Sequence, residues 1–359
     1  MEELLIEMNS TAKHAGRWQR PANNNRTECT LCPRYCKIPI GKAGFCSIRK
    51  NIDGTIQNIA YGRPTGFAID PIEKKPLFHF LPGTGVLSFG TAGCNLGCKF
   101  CQNWHISKVK IDDARSIEAS PEQVVQMAID NDCPSIAFTY NDPTIWAEYA
   151  MDISILAREE GIKSVWVTAG YITKTARIDA YENVDAANVD LKAFSQEFYG
   201  KITLSKLEPV LDTIKWLKNE TDVWIEITNL IIPTLNDGDD EFKKMVDWII
   251  ENLGDEVPLH FTAFHPDFKL NDLPRTEAGT LNRARKIALE AGLKYCYVGN
   301  VHDIGSSSTK CPNCESLLIQ RDWHRVLQNN ILDGKCPSCG TQIPGIFNSD
   351  IQSPNSLDT

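Results

Sequence analysis

Between residues 86 and 301 the chain alternates two kinds of apolar pattern. Short, nearly continuous apolar runs stand at 86–93, 135–140, 164–168, 187–191, 223–232, 258–264 and 295–301, the form taken by strands buried on both faces. Helical spacing separates most of them. Ile145, Tyr149, Ile153 and Leu156 recur at that spacing, as do Leu207, Val210, Leu211, Ile214 and Leu217, and then Phe242, Met245, Val246, Ile249 and Leu253; each set forms one apolar stripe. Alternating β and α predicts a parallel sheet with helices outside it, in a doubly wound sheet or a barrel. The polar residues favour the barrel, because they gather where its catalytic rim would lie: Cys94, Asn141 and Asp142, Thr168, Asp190 and Lys192, then Glu226, Thr228 and Asn229, then His260, Thr262 and His265, and last Asn300, His302 and Asp303. The organisation predicted is an extension (1–25), a four-cysteine module with hairpins or loops (26–82), the barrel (83–305), a second four-cysteine module (306–347) and a mobile tail (348–359). A short helix is expected at residues 3–8.

Eleven of the thirteen cysteines fall into three sets. The middle set follows the first strand-like run directly, as Cys94-Asn95-Leu96-Gly97-Cys98-Lys99-Phe100-Cys101. Three thiolates in this C-x3-C-x2-C spacing can each hold one iron of a 4Fe-4S cube, leaving the fourth iron open, whereas an ordinary electron carrier takes four cysteines. The rival readings are a zinc site with a distant fourth ligand and three plain buried thiols. The first set, Cys29, Cys32, Cys36 and Cys46, predicts zinc or an iron-sulfur cluster, in a structural role ahead of an electron-carrying one. The last, Cys311, Cys314, Cys336 and Cys339, forms two knuckles 21 residues apart. It predicts a zinc ribbon, or a rubredoxin-like iron on the same four thiolates, holding together a piece with little core of its own. Cys133 and Cys296 read as core thiols.

Composition narrows the class without naming the chemistry. Of 359 residues, 42% are hydrophobic and 23% charged, as in a globular protein. No apolar run approaches the ~20 residues of a membrane span, and residues 1–7 lack the basic start of a signal peptide, so a cytoplasmic location is expected. In that compartment thirteen cysteines suggest metal or redox sites ahead of disulfides. A net charge of −9 opposes general nucleic-acid binding, which is driven by Lys and Arg. Residues 11–50 are the basic exception, with Lys13, Arg17, Arg20, Arg26, Arg34, Lys37, Lys42, Arg49 and Lys50 against Glu28. No P-loop is present and no GxGxxG follows a strand.

Residues 94–104 (CNLGCKFCQNW), 138–146 (FTYNDPTIW), 190–192 (DLK), 228–237 (TNLIIPTLND), 297–301 (YVGNV) and 70–80 (DPIEKKPLFHF) together resemble the radical S-adenosylmethionine (SAM) enzyme of the AmmeMemoRadiSam system. That family is related to pyruvate formate-lyase activating enzymes. The resemblance extends over most of residues 29–303 and implies a partial (β/α)6 TIM-like barrel with the cluster and SAM at its open top. It places Phe100 against the adenine, Tyr140, Asn141 and Asp142 by the SAM amino group, Asp190 and Lys192 near the methionine carboxylate or substrate, and Asn229 near the ribose. The family usually has Glu where this chain has Asp142, which puts backbone carbonyls in place of a direct carboxylate contact; Ala169 likewise stands where relatives often have Asn. The implied reaction is reductive cleavage of SAM, fed by an external electron donor, with hydrogen abstraction from a small molecule or partner protein. Memo-like and AMMECR-like proteins are the implied partners. The alternatives, in order, are a glycyl-radical-enzyme activase, an RNA-modifying enzyme suggested only by the basic front end, and a non-catalytic iron-sulfur or zinc interaction protein.

Overall fold

The structure, a computed structural model, describes residues 14–347; the helix expected at 3–8 and the tail at 348–359 lie outside the described residues. The N-terminal module consists of an antiparallel sheet of β1 (Gln19–Ala22), β2 (Arg26–Cys29) and β3 (Lys37–Pro39), followed by a hairpin of β4 (Arg49–Ile52) and β5 (Thr55–Asn58). Next come the eight strands of the main sheet: β6 (Thr65–Pro71), β7 (Gly85–Gly90), β8 (Ser135–Phe138), β9 (Lys163–Thr168), β10 (Ala186–Asp190), β11 (Trp224–Ile231), β12 (Leu259–Ala263) and β13 (Cys296–Gly299). They lie side by side in chain order. All seven apolar runs appear as β7 to β13 and are mutually parallel, one strand more than a (β/α)6 unit. The sheet stays open, with β6 and β13 at its edges.

β6 pairs antiparallel with β7 where hairpins or loops were expected. Gly66 and Pro71 conceal it in the sequence. At a sheet edge, however, a proline at the strand end removes no needed ladder donor.

The helices expected on the outside are there, including Ala147–Glu159, Glu208–Glu220 and Asp239–Leu253. The last buries the predicted stripe of Phe242, Met245, Val246, Ile249 and Leu253. Helix Pro121–Asp130 starts on a capping box, Ser120 accepting from the Gln123 amide while Gln123 accepts from the Ser120 amide, which satisfies two otherwise open donors.

Alternation along the strands sends one set of residues outward to the helices and the other inward. The inner set forms layers. Ile72, Leu77, Phe80 and Leu81, from the segment joining β6 to β7, plug the space beside Val86, Ala137, Val165 and Ala186. Beside this plug lies a polar layer in which the fully buried Glu226 accepts from the amides of Phe78 (2.9 Å) and His79 (2.8 Å) and pairs with His260 at 2.6 Å. The strand ends beyond this layer surround the main cavity.

Both cysteine modules are fastened to the barrel. The Arg49 guanidinium forms a bidentate pair with Glu148 (2.6 Å twice) and donates to the Ile145 carbonyl at 2.7 Å, all of it buried. Breaking such a pair from one side costs about 3–5 kcal/mol because the other charge is left buried. The C-terminal module consists of β14 (Thr309–Lys310), β15 (Leu317–Asp322) and β16 (Arg325–Asn329). Its Cys311, Leu318, Ile319, Val326, Cys336 and Ile343 share one core with Phe78, Tyr295 and Tyr297 of the barrel. Arg321, with none of its side chain exposed, reaches Glu73 at 3.6 Å and donates to the Phe78 carbonyl at 2.6 Å.

Candidate functional site

A cavity of about 420 Å³ opens at the C-terminal ends of the parallel strands. Cys94, Cys98 and Cys101 form one wall, and no other cysteine lines it. Cys133 precedes β8 and Cys296 begins β13, and both are buried outside the cavity lining. Backbone bonds hold the cysteine loop against residues 202–203, from the Gly97 amide to the Thr203 carbonyl (2.8 Å) and from Lys99 to Ile202 (3.0 Å). The Leu96 amide points at the Cys94 sulfur (3.4 Å), and the Ser107 hydroxyl lies 3.0 Å from that of Cys101.

Asn141 fixes the approach to this loop. Its Nδ2 donates to the Gly93 carbonyl (2.8 Å) and the Thr91 hydroxyl (3.1 Å), and its Oδ1 accepts from the Thr91 amide and the Trp146 indole, both at 3.2 Å. Asp142 faces the end of β9, accepting from the Thr144 amide (3.0 Å), the Thr168 hydroxyl (3.1 Å) and the Ala169 amide (3.2 Å). Burial nevertheless leaves its carboxyl above the usual range. Tyr140, in the left-handed region at φ +68°, turns its hydroxyl to Asp70 (3.1 Å).

After β10, Lys192 pairs with Asp190 at 2.9 Å and lies 5.8 Å from the Phe100 ring. Burial alone would favour its neutral form, but Asp190 reverses this and holds the ammonium charged. Tyr140, Asn141, Asp142, Asp190, Lys192 and Phe100 all line the cavity, as do Thr168, Thr228, His260, Thr262 and Asn300. Asn229 is absent from that lining. On β11, Thr228 and Leu230 face inward, so Asn229 between them turns away and gives its Nδ2 to the Leu191 carbonyl at 2.8 Å. Glu226 lies deeper in the polar layer, and Asp303 caps the helix Ile304–Ser307. His265 and His302 are exposed rim residues outside the lining.

Two groups in the wall had little or no sequence signal. Lys74 and Lys75 both pair with Asp70, at 2.7 and 2.6 Å. Against the opposing effect of burial, these contacts hold the Asp70 carboxyl down to about 2. In the sequence, residues 70–80 entered through the family resemblance, which gave Asp70, Lys74 and Lys75 no role. Trp323 and His324, at the tip of the β15–β16 hairpin, also line the cavity, and nothing in the local pattern marked them.

The two outer cysteine sets differ in geometry. In the C-terminal set Cys311 and Cys339 sulfurs stand 3.6 Å apart and those of Cys314 and Cys336 3.7 Å. A tetrahedral site with metal–sulfur bonds of about 2.3 Å has sulfur–sulfur edges of roughly 3.8 Å, so these four residues fit a single metal ion. They are the only group of three or more ligand residues among the described residues whose donor atoms lie within 4.8 Å of one another. The three sulfurs of the cavity are thus too widely spread for one zinc ion. They suit a cube, where each thiolate binds a different iron.

An open parallel barrel with an incomplete cysteine set at its strand ends defines a class of cofactor-binding α/β proteins. A model of the radical SAM superfamily matches residues 89–249. The uncharacterized protein MJ0808 of Methanocaldococcus jannaschii is 44% identical over 323 residues, covering 89% of this chain and 96% of that protein. The pyruvate formate-lyase-activating enzyme of Clostridium pasteurianum is 24% identical over 56% of this chain and 87% of its own length. Among solved structures, a radical SAM methyltransferase from Sphaerobacter thermophilus aligns with a TM-score of 0.49 at 17% identity, covering 66% of this chain and 71% of that one. The chain belongs to the radical SAM superfamily. Among the described residues, no helix is long and apolar enough to cross a membrane.

Proposed function

We propose that the protein abstracts hydrogen from a C–H bond of a small molecule or a partner-protein segment, within an AmmeMemoRadiSam-type system. The observation that carries this reading is the incomplete donor set: three cysteines, and no fourth, on the wall of a cavity formed by the ends of the parallel strands. A 4Fe-4S cluster on Cys94, Cys98 and Cys101, together with SAM, would supply reductive cleavage of SAM and the hydrogen abstraction that follows.

The chain's own residues supply position and charge. Asn141 holds the residues leading into Cys94 in place. Phe100 offers an apolar face for the adenine, and Lys192 a fixed cation for a carboxylate. Asp142 organises the end of β9, leaving backbone carbonyls near 140–142 to receive an ammonium. Trp323 and His324 form part of the cavity wall and restrict water, which protects a reactive centre. The C-terminal four-cysteine set is assigned zinc, whose tetrahedral preference matches its spacing.

A glycyl-radical-enzyme activase is the second reading, favoured by the similarity to the Clostridium pasteurianum enzyme. Anaerobic reconstitution with iron, sulfide, reductant and SAM is expected to yield 5′-deoxyadenosine. Cys98→Ala should abolish it, and undiminished product from that variant would sink the proposal. Deuterium transfer into 5′-deoxyadenosine from labelled small molecules, or from a labelled glycyl loop, separates the two substrate readings.

A further inference from the structure

We propose that Cys29, Cys32, Cys36 and Cys46 hold a second 4Fe-4S cube, which delivers electrons to the cluster loop at Cys94 to Cys101. The delivery role rests on the function proposed above; the identity of the metal centre does not. All four cysteines line one pocket with Leu31, Ile38 and Ile145, yet no three of their sulfurs close to within 4.8 Å, as the C-terminal set does. A single tetrahedral ion needs that closure. Four thiolates on four different irons do not, because the core stands between them. The interstice is small, about 10 Å³, and its walls are almost wholly apolar, which excludes water from around the sulfurs.

The second observation is adjacency. The Cys46 carbonyl packs so closely on Gly93, the residue before Cys94, that any side chain there would collide with it. Arg34, between Cys32 and Cys36, donates from its Nε to the carbonyl of Asn95. Asn95, next to Cys94, is itself part of the module's pocket wall. The two cysteine sets therefore touch through residues next to their ligands, whereas a purely structural metal has no need to abut the cluster loop.

The outward side of the module suits a donor. Tyr35, Ile40 and Phe45 are exposed at 45%, 52% and 45%. Arg26, Lys37 and Lys42 are exposed on the same module and outnumber Asp53, its exposed acid. Exposed apolar side chains interspersed along the module with basic ones fit a low-potential, one-electron carrier protein with an acidic surface. The donor loses one electron and the module cube gains it. The same electron then passes to the centre at Cys94, Cys98 and Cys101, so the module returns to its starting state with no bond made or broken.

The full-length triple variant Cys94→Ala, Cys98→Ala, Cys101→Ala tests the metal centre after anaerobic reconstitution. The expected result is about four iron and four sulfide per chain, with a reduced-state EPR signal that SAM does not alter. Wild type should hold about twice as much. A folded triple variant with zinc and no iron, or a wild type with only about four iron, overturns the proposal. The reading of the cavity cysteines is judged separately, by whether SAM changes the EPR signal of Cys29→Ala/Cys32→Ala. For delivery, a reduced acidic ferredoxin at low salt should reduce the SAM-responsive cluster roughly tenfold faster in wild type than in that double variant. Equal rates would refute the relay.

Discussion

His79 ties the C-terminal module to the barrel through a chain of hydrogen bonds with a definite direction. Arg321 donates to the Thr309 hydroxyl (2.8 Å), which lies 3.0 Å from the Tyr297 hydroxyl, and that hydroxyl is 2.6 Å from His79 Nε2. On the other side of the ring, Nδ1 is 2.7 Å from the Pro344 carbonyl, which can only accept. Nδ1 must therefore carry the proton, and Nε2 accepts from Tyr297. A second ring proton would force Tyr297 to reverse. Burial lowers the His79 pKa to about 4; Glu226 and the Pro344 carbonyl oppose the shift, while Arg321 and His260 add to it. The unfolded chain binds this proton near 6.5. Since the folded form takes it up only near 4, this contribution to stability is complete above 6.5 and is lost as the pH falls from 6.5 towards 4. With about 1.4 kcal/mol per pH unit, the loss between pH 7 and pH 5 is about 2 kcal/mol. Urea unfolding at both pH values, in wild type and His79→Asn, measures it. Glu73, raised to about 6 by burial, favours the folded state in the opposite direction over part of this range, so the difference between the two proteins carries the test. The pH-induced loss should be about 2 kcal/mol smaller in the variant; equal losses would refute the hydrogen-bond direction and the neutral ring.

Further expectations bear on the cavity wall. Gly93→Ala combines a left-handed backbone, φ +83°, with the collision at Cys46, and should cost more than about 2 kcal/mol in denaturant unfolding. A cost under about 0.5 kcal/mol would place it among ordinary surface changes and contradict the contact. Asn141→Asp keeps the shape but turns an acceptor towards the Gly93 carbonyl, with an expected cost of about 2–4 kcal/mol. Its iron content after reconstitution should fall as well, and wild-type values of both would show that the loop is fastened elsewhere. Removing metal from the Cys311 to Cys339 site with a chelator is expected to make residues 309–343 sensitive to protease while the helical circular dichroism persists. Unchanged proteolysis after metal analysis confirms depletion would remove the metal's structural role.

The parallel strands were legible because a strand covered on both faces must be apolar throughout. β6 lacked that signature, being an edge strand with one exposed side and a glycine and proline near its ends. The rim was legible only as far as strand ends imply a rim. Asn229 shows the limit: three polar residues near one strand end look alike in the sequence, but alternation sends Thr228 inward and Asn229 away. Glu226 was counted with the rim, although its two backbone donors from residues 78 and 79 hold it a layer deeper. Trp323 and His324 carried no local signal, since their place depends on Arg321 docking against Glu73 and Phe78, contacts that span about 250 residues of chain.

Arg321 also sets an order of events during synthesis. Trp323 follows Cys101 by 222 residues, so at about 5–20 residues per second the cysteine loop is made roughly ten to forty seconds before the tip that closes the cavity beside it. Most of that interval goes to making β8 to β13; the last of them ends at Gly299, 24 residues before Trp323, so the side where Trp323 and His324 sit is the last part of the wall to appear. The cysteine loop therefore precedes in synthesis every other parallel strand end that surrounds the cavity, and the hairpin tip at Trp323 and His324 completes the wall.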